Sequence, residues 1–248
     1  MLDLLITLGA LLALSVIAGI AWAVCRGIQI LLQTGNTPAP DTMLIALGQP
    51  SAIAMIWMTL ISTGGTALLV YYWRRRATPE EQATSRAAAC RWATWGWVCL
   101  TALVTVSVST LLGLLGQRWG VQPEPTNQAL IKAAYSEAPV FMMVFGTLMA
   151  PAYEELLFRR VLFGRLWAAG RPWLGVVISS VAFALMHEVP GVTQNDWRAS
   201  MLLWLTYGFM GAAFAFDYWR TRTLWAAIGA HALNNVIALT LLNLSVGG

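Results

Sequence analysis

Seven apolar runs constrain this chain more than any other feature, because each is about 20 residues long, the length at which a helix crosses a bilayer. They lie at approximately 3–25, 51–73, 93–115, 139–164, 172–190, 199–219 and 223–244. Charge is correspondingly scarce: 58% of the 248 residues are hydrophobic and 10% are charged. A soluble domain of this length carries about 25% charged residues. A hydrocarbon environment leaves backbone polar groups no partner outside the segment, so spans of this length form helices. The expected fold is all-α, a polytopic transmembrane bundle of about seven spans. It divides into a three-span region with outer loops (1–137) and a four-span core (138–248).

The stretches between the runs agree with that division. Thr34–Pro50 and Gly116–Glu137, the latter with Pro123 and Pro125, read as extramembrane loops by their breaker residues. The run after Asp3 is too long for the apolar region of a signal peptide and lacks a basic leader, so it reads as a retained span. Cys25, Cys90 and Cys99 fall in or beside apolar stretches and suggest neither a disulfide framework nor a metal knuckle. No internal repeat is evident. Small residues at Gly208, Gly211, Ala212 and Ala215, then at Ala226, Ala227, Gly229 and Ala230, predict close packing of the last two helices.

The formal net charge of +4 is no nucleic-acid footprint, because the cations sit in short loops between spans. Eleven of the 15 lie on one side: Arg74, Arg75, Arg76, Arg86, Arg91, Arg159, Arg160, Arg165, Arg171, Arg220 and Arg222. Arg26, Arg118, Lys132 and Arg198 lie on the other. The bias places the N-terminus in the cytoplasm and the C-terminus outside.

Ionisable groups inside spans cost about 2.5–3.5 kcal/mol each on insertion scales and so need a reason. The fourth run contains Glu154-Glu155-Leu156-Leu157-Phe158-Arg159. Glu155 and Arg159, four apart, share a helix face and can pair. Glu154 points about 100° away and is free to face something else. Taken alone, the cluster also fits interfacial charges at a helix end. The histidines alter the balance, since the chain has only two and both lie in apolar runs. His187 follows Phe183 by one turn, and His231 precedes Asn235 by one turn.

Depth links these groups. Glu154 stands 16 residues before Gly170 and His187 stands 16 after Arg171, at the tight break between runs four and five. In an antiparallel hairpin both lie about 24 Å from the turn. His231 and Asn235 lie 9 and 13 residues after Arg222, roughly 14 and 20 Å deep at the same rise. Pro151, one turn before Glu155, opens the helix ladder beside the acids. A carboxylate facing a neutral imidazole can hold and deprotonate a water. A second imidazole with a carboxamide can stabilise an oxyanion. Together they describe water attack on an acyl carbon. No Gly-x-Ser-x-Gly occurs, and Ser179 and Ser180 are expected to bond within their own helix.

The ordered set Glu-Glu-x-x-x-Arg, Phe-x-x-x-His and His-x-x-x-Asn resembles the CPBP family, the type II CAAX prenyl endopeptidases and their bacterial Abi-type relatives. The resemblance covers about residues 138–244. It implies a membrane-embedded peptidase with Glu154 as general base and His187 holding the water. It further implies Glu155 and Arg159 in support, Phe183 beside them, and an oxyanion site of His231 and Asn235. A bacterial inner membrane is the implied location, and a membrane-associated peptide or protein tail the implied substrate. No cofactor is favoured; if a metal such as zinc binds, Glu154, His187 and His231 are its candidate ligands. Two other classes stay open: a non-catalytic scaffold or bacteriocin-immunity-type protein of the same fold, and a small ion-coupled carrier. A carrier would be expected to show repeat symmetry, and the polar groups here sit only in the last four spans.

Overall fold

The computed structural model describes residues 2–37, 39 and 41–246, the last five of these by backbone alone. Among the described residues there are ten helices and no strands. They are α1 (Leu2–Thr34), α2 (Met43–Leu47), α3 (Ala52–Arg75), α4 (Pro79–Ala89), α5 (Trp92–Arg118), α6 (Gln128–Glu137), α7 (Pro139–Ala168), α8 (Pro172–His187), α9 (Trp197–Thr221) and α10 (Leu224–Val246). The all-α polytopic bundle expected from the sequence is what forms.

The number of spans is close to the seven expected. Six helices are long and apolar enough to cross, namely α1, α3, α5, α7, α9 and α10. The fifth run yields α8, whose 16 residues rise about 24 Å against a hydrocarbon core of about 30 Å. The predicted end at 190 fails because Pro190 disfavours helical geometry in the residue before it, and Glu188 is already extended. The first helix, in contrast, overruns its predicted end at 25. Nothing after Cys25 stops it until Gly35, whose φ of 71° is a left-handed conformation that glycine adopts without strain. The predicted loop 116–137 also contains α6.

The turn between α7 and α8 folds as expected, and its chemistry is local. Arg171 N–H donates to Leu166 O and Gly170 N–H to Trp167 O, with Gly170 at φ 72°. This double closure ends a helix at a left-handed residue. It sets α7 and α8 antiparallel, which is what brings positions 154 and 187 to one level.

The small residues of the last two helices do not chiefly serve each other. A Cβ at Gly211 would stand 2.9 Å from the Cα of Ser180, so α9 lies tightest against α8. A Cβ at Gly229 would meet Trp95 and Val98 of α5. The α9–α10 contact exists, with Ala226, Ala227 and Ala230 fully buried, but α5 wedges against both helices. Ser179 and Ser180 both bond to Val176 O within α8, as expected.

The arginine-rich end is tied together by acids. Asp3, on the first turn of α1, takes hydrogen bonds from Arg74 (3.0 Å) and from Arg75. Arg160 at the end of α7 grips Glu81 through both terminal nitrogens, at 3.1 and 2.6 Å. Glu81 also closes a capping box with Thr78 at the start of α4. The Arg160 guanidinium holds the Glu81 carboxyl below the usual carboxylate range. The three cysteines are free and exposed.

Candidate active site

Helix α7 supplies the acids, and its backbone is irregular where they sit. Two π-helical stretches, Phe145–Met149 and Leu156–Phe163, bracket Ala150–Glu155. Such stretches recur at functional sites because they re-aim side chains. Here the irregularity has a local cause. Pro151 has no N–H to donate, and Ala150 N–H reaches back to Phe145 O instead of Gly146 O. Gly146 O is thereby released from the helix ladder, and Asn235 Nδ2 donates to it from α10 at 2.8 Å.

Glu155 and Arg159 form the expected i,i+4 pair at 2.8 Å, and neither has any exposed surface. A buried ion pair persists only when its remaining hydrogen-bonding capacity is met. His231 contributes to that from α10, its Nδ1 lying 2.9 Å from Glu155 Oε1. The Arg159 guanidinium lies over Phe183 at 5.0 Å, Phe158 at 5.7 Å and Phe214 at 5.8 Å, an aromatic cage that stabilises a desolvated cation. Phe183 therefore supports Arg159 with its ring.

The same residue orients His187 with its backbone. His187 Nδ1 is 2.9 Å from Phe183 O. A carbonyl oxygen only accepts, so Nδ1 carries a proton and Nε2 is the nitrogen turned to the cavity, an acceptor whenever the ring is neutral. Nε2 faces Glu154 Oε2 at 3.6 Å, beyond a direct hydrogen bond. His231 Nε2 faces the same oxygen at 3.9 Å. Glu154 Oε2 is buried and has no hydrogen-bond partner within the protein. The structure thus gathers Glu154, Glu155, Arg159, His187 and His231 around one point and sets Asn235 one turn beyond His231.

A cavity of about 860 Å³ borders these groups. Glu154, His187, His231 and Asn235 lie in its wall with Tyr153, Phe145, Leu203 and Tyr207. It extends toward Pro125, Asn127 and Gln128, on the side away from the arginine-rich end. Among the described residues, no group of three or more His, Cys, Asp and Glu is disposed to hold a metal ion.

Matches to known proteins bear on the same residues. A model of the Rce1-like family, type II CAAX prenyl endopeptidases, matches residues 136–237, which takes in all three motifs. Over these residues the chain is similar to the CPBP family. It is 27% identical to "Putative membrane peptidase YdiL" of Bacillus subtilis over 83% of this chain and 76% of the relative. It is 30% identical to "Membrane-embedded CAAX protease MroQ" of Staphylococcus aureus over 61% of this chain and 58% of the relative. A third relative, "UPF0177 protein YvdC" of Lactococcus lactis, is 26% identical over 54% of this chain and 48% of that protein. The chain thus spans about half the length of the latter two. No solved structure matches at a significant level. The six apolar helices and these likenesses mark the chain as an integral membrane protein similar to CAAX-type peptidases.

Several residues that shape this CPBP-like site escape sequence reasoning. Tyr207 stacks on His187 with centroids 4.7 Å apart, and Phe214 stacks on His231 at 4.9 Å. Both come from α9, which holds no family motif, and aromatic residues in an apolar run carry no distinguishing signal. Asn234 is buried and accepts from Thr105 of α5 at 3.1 Å. Glu188, next to His187, is fully buried although it follows a span. Its carboxylate accepts from Thr126 at 2.5 Å and Asn195 at 3.1 Å, while its carbonyl accepts from Trp204 at 2.8 Å. Burial raises the Glu188 carboxyl, but these donors outweigh it and hold the group below the usual carboxylate range. An acid directly after the histidine of the Phe-x-x-x-His motif is the available signal.

Proposed function

We propose that this chain is an intramembrane endopeptidase in which Glu154 and His187 activate a water for attack on a peptide carbonyl. The observation that carries the reading is the shared approach of His187 Nε2 and His231 Nε2 to Glu154 Oε2, a buried oxygen without a protein partner. A water at this point donates one hydrogen bond to Glu154 and one to His187 Nε2, which leaves a lone pair for the carbonyl carbon. As the C–O bond forms, Glu154 takes the water's proton. It then passes that proton to the departing amine as the C–N bond breaks, giving a carboxylic acid and an amine.

The oxyanion needs donors, and the structure sets a condition on them. His231 Nδ1 is committed to Glu155, so Nε2 donates only when the ring is an imidazolium. The Asn235 carboxamide has one N–H fixed on Gly146 O and a second free for the oxyanion. The cavity reaches the end of the bundle opposite the arginines, so with the N-terminus inside, substrate enters from the outer half of the membrane.

Purified protein in lipid should cleave a membrane-associated peptide, and Glu154→Gln should lower kcat by about 10²–10⁴-fold with KM little changed. Retention of the biological effect by well-folded Glu154→Gln and His187→Ala forms would instead establish a non-catalytic scaffold.

A further inference from the structure

Glu188 joins two parts of the cavity wall that share no helix. From Val121 to Asn127 the chain runs without helix or strand. Pro123 and Pro125 fix φ at two of these positions and remove two backbone donors, so the stretch is a stiff strap. Among the described residues, every hydrogen bond that ties 122–127 to another element ends on Glu188 or Asn195. Thr126 donates to Glu188 Oε2 from its hydroxyl at 2.5 Å and from its N–H at 3.3 Å. Asn195 accepts from Glu124 N–H at 3.0 Å and donates to Glu124 O at 2.7 Å. It also donates to Glu188 Oε1 at 3.1 Å. Pro125 and Asn127, on either side of Thr126, line the cavity with Gln128, and His187 lines it from the position before Glu188.

Such a tie is strong, because a fully buried carboxylate here accepts on both oxygens and hydrogen bonds to a charged group exceed neutral ones. The reacting pair does not depend on it. His187 is oriented by Phe183 O and by the Tyr207 ring, and Glu154 stands on α7. Loss of the tie therefore frees the wall and leaves the reacting groups in place. A mobile wall must be ordered each time a peptide binds, which weakens binding without altering the chemical step. We infer that Glu188 is a positioning residue: it holds residues 125–128 at a fixed spacing from His187 and so sets how tightly the cavity binds a peptide substrate. The inference rests on the peptidase reading above, but wall motion and peptide binding are both measured without turnover.

The full chain is placed in lipid nanodiscs as wild type, Glu188→Gln, Thr126→Val and Thr126→Ser. Amide hydrogen exchange over residues 122–128 should quicken by about tenfold in Glu188→Gln and Thr126→Val, with far smaller changes in α7 and α10. Thr126→Ser keeps the hydroxyl and should keep the wild-type rate. Binding is read by fluorescence anisotropy with a dye-labelled apolar peptide carrying an N-terminal palmitoyl chain, corrected for its partition into empty nanodiscs. Its Kd should rise by about fivefold or more in the first two variants and stay at the wild-type value in Thr126→Ser, while kcat for its cleavage changes by less than about twofold. Unchanged exchange over 122–128 overturns the inference, as does faster exchange without a change in Kd, which would make the tie structural only. A fall in kcat as large as the rise in Kd, or no binding of the peptide by the wild type, overturns it too. Weaker binding in the two variants together with no cleavage by the wild type would sink the peptidase reading and leave this one standing.

Discussion

His231 Nδ1 lies 2.9 Å from Glu155 Oε1, and this contact decides which nitrogen of the imidazole faces the cavity. Glu155 is itself fixed by Arg159, so the orientation of an α10 side chain is set by an ion pair within α7. Phe214, stacked on the ring at 4.9 Å, closes the other direction of movement. Removing any member of this chain disturbs the ring whose Nε2 faces Glu154 and the cavity.

Arg159 should therefore matter to folding as well as to chemistry. Arg159→Ala leaves Glu155 uncompensated in a site with no exposed surface, a loss of about 3–5 kcal/mol. Arg159→Lys should recover only part, because an ammonium cannot reproduce the planar fork lying among three phenyl rings. Denaturant unfolding in a fixed detergent measures both, and equal stability of the two variants would contradict this account.

A pair of substitutions separates the hydrogen bond that Asn235 makes to Gly146 O from the oxyanion role proposed for it. Asn235→Ala should cost about 10²–10³-fold in kcat if its free N–H meets the oxyanion. It should also cost about 1–3 kcal/mol of stability, because Gly146 O is left without a donor. Gly146 has Leu239 and Met142 at 3.1 and 3.3 Å from an added Cβ, both flexible side chains. Gly146→Ala should therefore shift the carbonyl slightly and lower stability with a much smaller effect on kcat. A kcat loss in Gly146→Ala as large as in Asn235→Ala would mean that Asn235 acts only through the helix backbone.

Glu188 links the hairpin end to stability in a pH-dependent way. Its carboxyl titrates below 4.5, the ordinary value, in the folded protein. A depressed folded pKa contributes stability that is complete above 4.5 and is lost as pH falls through the lower folded value. Wild type should thus exceed Glu188→Gln in thermal midpoint near neutrality, by the equivalent of about 1–3 kcal/mol. The two midpoints should draw together as the solution is acidified below 4.5. A gap that widens on acidification would show that the carboxylate is not the stabilising form.

The mechanism drawn from Glu154 and His187 needs no metal. Activity of the purified protein is expected to survive strong chelators, and elemental analysis is expected to find substoichiometric zinc. Stoichiometric zinc whose removal abolishes cleavage and shifts the thermal midpoint would replace the proposed water activation with metal chemistry.

Much of this site is legible before folding because its key relationships are short in sequence or symmetric about a turn. Glu155 and Arg159 are one helical turn apart, so helix geometry alone pairs them. Glu154 and His187 are equidistant from the Gly170-Arg171 turn, where left-handed Gly170 makes the hairpin, and they meet at 3.6 Å. Hydrophobicity alone located the spans, since bilayer thickness sets their length. The tertiary structure decided everything that depends on a neighbour from elsewhere. It ended α8 at His187, where Pro190 stops the helix and Glu188 finds partners on two loops. It put Asn235 on a carbonyl that Pro151 and a π stretch had released 89 residues earlier in the chain. It also chose α9 to supply the rings against both histidines. Contacts of that kind depend on which helices become neighbours, and in lipid that is settled by packing of small and aromatic residues, for which an apolar run carries no distinguishing mark.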